Sequence, residues 1–376
     1  MDEKKIKELE EQISNGRGRL SADRMDLSFG ELISLYKNKE LIIRPEYQRF
    51  FRWNQQQKTA LIESILLSIP IPPIFVAEDE DGIWELVDGL QRVSTFISFF
   101  GELDTNVSQS VFQRDNEEEM DNGEEISINN KWTLEEGGLI PGLEGFDIET
   151  LPSKYKMNLK RAVCRVEILR GESSHVMKYE LFKRLNSGGS KATAQEIRNA
   201  VYRGINSTIN ELIIEISNND AFQKLTNLSK QKKQELYDQE LVLRFIAYLG
   251  NVEKINKNTE AFLNDFMQKN AVEKSKFDPK YYREMFNKVL KMIERIDDAK
   301  VFRNHKNQFV PAYFEGIIIG LAQNIERYDD QIELLKTKIN KLKNDEEFKR
   351  VSGVASNSKT RIRARLRRAN KIFGEQ

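Results

Sequence analysis

The first 205 residues mix two hydrophobic periods, one typical of β-strands and one typical of α-helices. Four short segments are rich in β-branched and aromatic residues or alternate between apolar and polar positions, and we predict that they are strands of one small sheet. They are residues 41–43, 74–77, 83–87 and 162–168. Apolar residues recur at helical spacing after Phe29, Leu61 and Val93. This order of elements predicts a compact unit with a mixed sheet and packed helices.

From about residue 206 onward the apolar positions follow only the helical period. Stripes of this kind recur around Leu212, Phe245, Val289 and Leu321, and polar turns separate them. Such stripes are far more typical of a core between helices than of grooves for a partner. We therefore predict an α+β chain, with a small mixed-sheet domain at 25–205 and an all-α helical domain at 206–345.

Two segments fit neither period well. Residues 1–24 are charged and form an N-terminal extension that is helical or loose. Residues 102–149 are acid-rich, contain few apolar anchors and carry an Asn122-Gly123 turn signal. We expect this second segment to be an insertion that lies outside the core, so that a short linker could replace it.

Composition restricts the class of protein. Apolar residues make up 39% and charged residues 31% of the 376 residues, which is ordinary for a soluble protein. No stretch approaches the roughly 18 apolar residues of a membrane helix, and no signal peptide is evident, so we expect a cytoplasmic protein without membrane contact. The single cysteine, Cys164, excludes an internal disulfide and a cysteine-built zinc site.

The most informative stretch is the pentapeptide at residues 88–92, DGLQR, between a predicted strand and a predicted helix. Gly89 permits a tight turn or the close approach of a ligand to the backbone. The helix that follows offers N–H groups and the positive end of its dipole, which favour a phosphate. Most junctions of this kind are plain turns, so this pattern alone does not establish a site. We expect the turn to be an exposed surface feature outside the core.

A second stretch, residues 44–49 (RPEYQR), precedes the first packed helix. Pro45 favours an extended or turn backbone, and Gln48 and Arg49 lie within it. Arg49 and Arg92 could converge on one anionic ligand. The alternative is that both arginines pair with surface carboxylates such as Glu46, Glu63 or Glu85.

A third stretch, residues 182–189 (FKRLNSGG), is followed by residues 195–200 (QEIRNA). Two adjacent glycines after a helix are typical of a helix C-terminal cap. The functional alternative places Asn186, Gly188 and Gly189 at the same ligand as the DGLQR turn. Glu196, on the next helix, could orient an arginine or hold a metal ion through water.

Together these three stretches resemble the GmrSD restriction endonuclease N-terminal domain family, within the wider ParB-like, sulfiredoxin-like superfamily. The family hallmark is a DGQQR box, so Leu90 departs from it while Asp88, Gly89, Gln91 and Arg92 are retained. The segment at 182–200 is similar to the family's Phe…Asn-x-Gly-Gly…Glu-Ile-Arg element. The resemblance covers roughly residues 25–205.

The resemblance implies a domain that binds an NTP and also hydrolyses it. It further implies that this domain takes part in bacterial DNA restriction and defence against phage. It implies a nucleotide site formed by the side chains or backbone of Gln48, Arg49, Gly89, Arg92, Asn186, Gly188, Gly189 and Arg198. The implied catalytic residues are Asp88, Gln91, Arg92 and Glu196. Asp88 would bind Mg²⁺ or position the attacking water. The base of the NTP is left open.

The basic C-terminal segment, residues 346–376, suggests a partner. Arg361, Arg363, Arg365, Arg367 and Arg368 lie close together in it. We predict that they contact DNA phosphates, although a solvated basic helix that binds nothing specific explains the same composition. The net charge of +0 argues against a chain that coats nucleic acid along its whole length.

The absence of several catalytic motifs narrows the set of possible functions. The chain has only two histidines, and His305 lacks the surrounding pattern of a histidine nuclease. No Walker loop, HExxH or GxSxG motif is present. The alternatives to an NTP hydrolase that acts with DNA are a non-catalytic regulator of a partner nuclease and a toxin-like or DNA-nicking protein that acts alone. The pattern does not decide between a monomer and a homo-oligomer.

Overall fold

The computed structural model describes residues 3–17, 21–43, 53–79, 81–103, 131–170, 179, 183–184, 193–202, 207–272, 277–353 and 357–375. The chain divides into two compact units, residues 1–191 and residues 192–376. The first unit contains the sheet and the second is helical, so the predicted α+β class is confirmed.

The first unit has five strands and five long helices in its described part. In chain order they are α1 (Glu3–Arg17), β1 (Ser21–Ser28), α2 (Phe29–Lys37), β2 (Leu41–Ile42), α3 (Gln55–Leu66), β3 (Ile74–Glu78), β4 (Trp84–Asp88), α4 (Leu90–Phe99), α5 (Ser153–Arg161) and β5 (Val163–Arg170). The four predicted strands are β2, β3, β4 and β5, and the helices predicted after Phe29, Leu61 and Val93 are α2, α3 and α4.

The sheet has the strand order β1-β5-β3-β4-β2. β3 pairs with β5 in parallel and with β4 in antiparallel orientation, so the sheet is mixed. Side chains of one face, including Ile74, Val76 and Val166, join residues of α2–α5 in the core of the unit. Residues that alternate with them point to the opposite face, which we call the second face.

β1 was not predicted, because residues 21–24 were assigned to the N-terminal extension. It lies at the edge of the sheet and pairs with β5 along its whole length. Charged side chains bridge the two strands: Arg165 Nε lies 3.2 Å from Asp26, and Arg170 Nη1 lies 2.8 Å from Asp23. Charges on an edge strand discourage pairing with another chain.

The expectation that residues 102–149 lie outside the core is wrong for their C-terminal part. Residues 104–130 lie outside the described residues. Trp132, Leu134, Leu143 and Ile148 are buried in the core of the first unit. A row of polar groups on α3 holds this segment: Gln55 donates to Thr133 O, Thr59 accepts from Glu135 N, and Glu63 accepts from Leu139 N and Ile140 N.

The second unit is built from helices throughout its described part. They are α6 (Ala194–Tyr202), α7 (Ser207–Ser217), α8 (Asp220–Thr226), α9 (Lys230–Gln234), α10 (Tyr237–Tyr248), α11 (Thr259–Val272), α12 (Pro279–Glu294), α13 (Pro311–Gln323), α14 (Ile332–Asn344), α15 (Glu346–Ser352) and α16 (Lys359–Gly374). Phe222, Phe245, Phe286 and Phe314 form edge-to-face contacts at its centre.

The predicted basic tail is part of this helical unit. α16 packs against α13 so closely that a Cβ added to Gly320 would lie 2.7 Å from the Phe373 ring. Ile362, Leu366, Ala369 and Phe373 are fully buried. Among the described helices, none is both long enough and apolar enough to cross a membrane.

Candidate functional site

The DGLQR segment forms the junction between β4 and α4. Asp88 is the last residue of β4, and α4 begins at Leu90. Gly89 has φ = 99°, ψ = 14° and caps α4 without a side chain. An added Cβ would lie 2.6 Å from Ile74 Cγ2, so both the backbone angle and the space require glycine here. The turn therefore presents backbone at the start of a ten-residue helix.

Arg92 ties this junction together. Its Nη2 donates to Asp88 Oδ2 at 3.0 Å, one helical turn back along the chain. Its Nη1 donates to Pro73 O at 3.0 Å and also to Pro72 O. The side chains of Arg92 and Asp88 are only 15% and 26% exposed. The expectation of an exposed surface turn is therefore wrong, since one guanidinium joins the segment before β3 to the end of β4.

The Asp88 carboxylate lies in a partly desolvated position. Burial raises its pKa above the ordinary value for aspartate, and the Arg92 guanidinium and the Gly89 N–H act in the opposite direction. A carboxylate that accepts from an arginine and a backbone N–H keeps a fixed orientation. Its remaining lone pairs can accept from a further donor or bind a cation.

Gln91 connects the junction to the predicted arginine loop. Its Oε1 accepts from Trp53 N at 3.3 Å. Trp53 follows residues 44–52, which lie outside the described residues, and this group includes Gln48 and Arg49. The chain that carries these two residues therefore re-enters the described structure beside the start of α4. Asn186, Gly188, Gly189 and the helix expected around 176–185 also lie outside the described residues, apart from positions 179, 183 and 184.

Glu196 has a local structural role in α6. Thr193 N donates to its carboxylate at 2.6 Å, and Glu196 N donates to Thr193 Oγ1 at 3.3 Å. This reciprocal pair is a capping box, and the spacing Thr-x-x-Glu in the sequence is its signature. The sequence therefore contains a signal for the capping role of Glu196, whereas the resemblance implied a catalytic role for it.

Arg198 is fully buried within the second unit. Its Nε donates to Asn264 Oδ1 at 2.8 Å, and its Nη1 donates to Gln195 Oε1 at 2.9 Å and to Glu240 Oε2 at 3.1 Å. These contacts give no support to the predicted nucleotide contact of Arg198. Asp88 and Arg92 belong to the first unit, whereas Glu196 and Arg198 belong to the second.

The network around Arg198 extends to the basic segment. Glu240 also pairs with Arg244 at 2.7 Å, Arg244 pairs with Glu315 at 2.7 Å, and Arg365 Nε donates to Glu315 at 2.7 Å. Arg365 is 1% exposed. The prediction that Arg365 contacts DNA is therefore wrong for this structure, because its charge is directed to a buried carboxylate.

The other arginines of α16 differ in their surroundings. Arg367 pairs with Glu253, with Nε 2.8 Å from Oε1, and Arg368 pairs with Asp345 at 2.6 Å. Arg361 and Arg363 lie on the partly exposed side of the helix. Carboxylates thus already neutralise much of the positive charge that the composition suggested.

The first unit is an α+β unit whose glycine-containing turn carries a carboxylate and an arginine at the start of a helix. This geometry defines its class. Residues 29–203 match the family described as GmrSD restriction endonuclease, N-terminal domain. The match covers slightly less than half of the chain, and it confirms the resemblance noted from the motifs. Comparison with curated proteins and with solved structures finds no match.

Proposed function

We propose that the protein is part of a DNA restriction or anti-phage defence system and that its first unit binds an NTP at the β4–α4 junction. Membership of residues 29–203 in a restriction endonuclease domain family supports the first half of this proposal. The single observation that carries the second half is the Gly89 turn, which leaves the start of α4 without a side-chain cap.

The start of α4 suits a phosphate group. Its dipole favours negative charge at this end, and its first N–H groups have no acceptor within the helix. Arg92 does not face outward, because its two terminal nitrogens bond to Pro72 O, Pro73 O and Asp88. We therefore assign Arg92 a positioning role and assign the cationic contact with phosphate to Arg49.

We propose that Asp88 is the catalytic residue for NTP hydrolysis. Its ionised carboxylate would accept a hydrogen bond from the water that attacks the terminal phosphate, and Arg92 would fix its orientation. The described residues contain no group of three or more His, Cys, Asp or Glu side chains that could hold a metal ion. Mg²⁺ commonly needs only one or two carboxylates besides nucleotide phosphates, so Asp88 fits it. Mg²⁺ would neutralise charge on the phosphate oxygens.

The test is phosphate release by the purified protein with each of the four NTPs, with and without DNA. Asp88→Asn should abolish release and retain nucleotide binding, because the carboxylate acts mainly in the transition state. Leu90→Ala, at the first residue of α4, is the control, because it changes the junction and leaves the Asp88 carboxylate in place. Absence of NTP binding by the wild-type chain would refute the proposal.

The ion pair at the junction favours a second candidate, a non-catalytic regulator that binds nucleotide and controls a partner nuclease. In this case Asp88 would serve mainly to hold Arg92, and their 3.0 Å contact would persist with nucleotide bound. If the wild type and Asp88→Asn both bind NTP and neither releases phosphate, this candidate is supported over the hydrolase.

For DNA contact we propose Arg361 and Arg363, two of the predicted arginines, which lie on the partly exposed side of α16. Neutralising both should reduce the dependence of DNA affinity on salt concentration, because fewer counterions are released. Arg368→Ala is the comparison variant, since Arg368 pairs through two hydrogen bonds with Asp345, whose side chain is only 11% exposed. An unchanged salt dependence in the double variant would show that α16 does not touch DNA.

A further inference from the structure

Three residues from neighbouring strands form one row across the second face of the sheet, and a fourth residue lies at its end. Arg24 of β1 is paired with Glu167 of β5, and Glu167 is paired with Phe75 of β3. Directly paired residues of adjacent strands in regular register point to the same face. Phe75 is paired in turn with Asp88 of β4, at an irregularity where β4 has Val87 as an additional residue, so Asp88 lies beside the row at the end of its strand. Because neighbouring strands lie about 4.8 Å apart, the Cα atoms of Glu167 and Asp88 are separated by about 10 Å, with Phe75 between them.

Phe75 is placed unusually for an aromatic residue of a central strand. Its neighbours Ile74 and Val76 are buried in the core on the opposite face. Phe75 is only half-buried and does not belong to that core. The residues paired with it are two carboxylates, so an apolar side chain lies between polar groups.

Glu167 is a carboxylate whose present partner is easily displaced. Its side chain is 14% exposed, whereas that of Arg24, 3.1 Å away, is 79% exposed. Arg24 loses little when it returns to water, because exposed ion pairs contribute little to stability. Glu167 can therefore accept a hydrogen bond from a ligand in place of the Arg24 contact.

A groove adjoins the end of this row at Arg24 and Glu167. It has a volume of about 570 Å³ and is lined by Arg24, Met25, Asp26, Pro73, Arg165 and Glu167. Small-molecule sites occupy roughly 300–1,000 Å³. Pro73 also connects the groove to the junction, because its carbonyl accepts from Arg92 at 3.0 Å.

We infer that this row is the nucleoside subsite of the proposed NTP site. The base stacks on the Phe75 ring, and Glu167 accepts a hydrogen bond from an N–H or O–H donor of the nucleoside. The phosphates extend past Asp88 to the start of α4. This inference rests on the proposed function and adds to it the residues that recognise the nucleoside.

The first experiment separates the nucleoside from the phosphates. Dissociation constants of the four NTPs and of inorganic tripolyphosphate are measured by calorimetry for the full-length wild type, Phe75→Leu and Phe75→Tyr. Phe75→Leu should weaken NTP binding by about tenfold or more, the scale of base–aromatic stacking. Tripolyphosphate binding should be unchanged, and Phe75→Tyr should bind NTP like the wild type.

The second experiment concerns Glu167. Glu167→Gln should weaken NTP binding and leave tripolyphosphate binding unchanged, whereas Arg24→Ala, which removes only the ion-pair partner, should not weaken NTP binding. Comparison of ribonucleotides with 2′-deoxynucleotides identifies the donor. Loss of ribose discrimination in Glu167→Gln indicates a sugar hydroxyl, and a changed preference among the four bases indicates a base N–H.

The outcomes separate this inference from the proposed function. A wild-type chain that binds neither NTP nor tripolyphosphate refutes the proposed function. If the wild type binds NTP and Phe75→Leu binds it equally well, the nucleoside subsite is overturned. The subsite is also overturned if Phe75→Leu and Phe75→Tyr both weaken tripolyphosphate binding together with NTP binding. In either case the proposed phosphate site is retained. Thermal melting of each variant shows whether a loss of binding follows from unfolding.

Discussion

Arg92 Nη2 lies 3.0 Å from Asp88 Oδ2, and this contact joins the end of a strand to the first turn of the helix that follows it. The same guanidinium also bonds to two carbonyls that precede the neighbouring strand. The pair therefore stabilises the junction in addition to any role with nucleotide.

The first prediction follows from this contact. Arg92→Ala leaves a partly buried carboxylate and two carbonyls without their donor, so the free energy of unfolding should fall by about 2–3 kcal/mol. Urea denaturation measures the change, and a double-mutant cycle with Asp88→Asn isolates the pair. Equal midpoints for Arg92→Ala and wild type would show that the contacts of Arg92 do not stabilise the folded junction.

The second prediction compares a buried carboxylate with an exposed one. Glu315 accepts from Arg244 and Arg365 in the interior of the helical unit. Glu315→Gln removes the charge that balances both arginines, and it should destabilise the protein by about 3–5 kcal/mol. Glu253→Gln removes the exposed partner of Arg367 and should leave the thermal midpoint unchanged. Similar midpoints for the two variants would mean that the buried network contributes no more than a surface pair.

The third prediction concerns the acid-rich segment. Lys131 N donates to Ser98 O at 2.9 Å, so the chain leaves and re-enters the core near the end of α4. Replacing residues 104–130 by a short Gly/Ser linker should preserve melting and solubility. Extending the deletion to residue 149 removes Trp132 and Leu134 from the core and should prevent folding. A soluble, cooperatively melting protein without residues 131–149 would contradict this assignment.

The fourth prediction is a pH dependence. Burial raises the pKa of the Cys164 thiol to about 11, whereas an unfolded thiol titrates near ~8.5. Between these values the folded protein holds a proton that the unfolded chain has lost, so stability should fall as pH rises. The measurement is the difference in urea midpoint between wild type and Cys164→Ala from pH 8 to pH 10.5. This difference should shrink with pH, and a constant difference would show that the thiol is not desolvated.

The sequence predicted four of the five strands because each has a β-branched or alternating pattern of its own. β1 could not be found in this way, since Met25 and Leu27 are its only large apolar residues and its stability comes from pairing with β5, which lies more than a hundred residues later. The core position of Trp132 was hidden for a related reason. The segment has no regular period, and its anchors are held by side chains of α3.

The candidate site shows the same limit. The turn at Asp88 and Gly89 was predicted from local sequence, because a strand, a glycine and a helical stripe follow one another. The partners of Arg92 are carbonyls about twenty residues earlier, and no local pattern indicates them. The row through Phe75 and Glu167 depends on strand order, which became known only with the sheet.

The position of α6 has a consequence for how this protein can be cut and recombined. The family match ends at residue 203, yet the second compact unit begins at residue 192. Ile197, Val201 and Tyr202 are buried, and Arg198 bonds to side chains of α10 and α11. The segment that matches the family therefore does not coincide with either compact unit. A fragment ending at 203 would carry a helix whose partners were left behind.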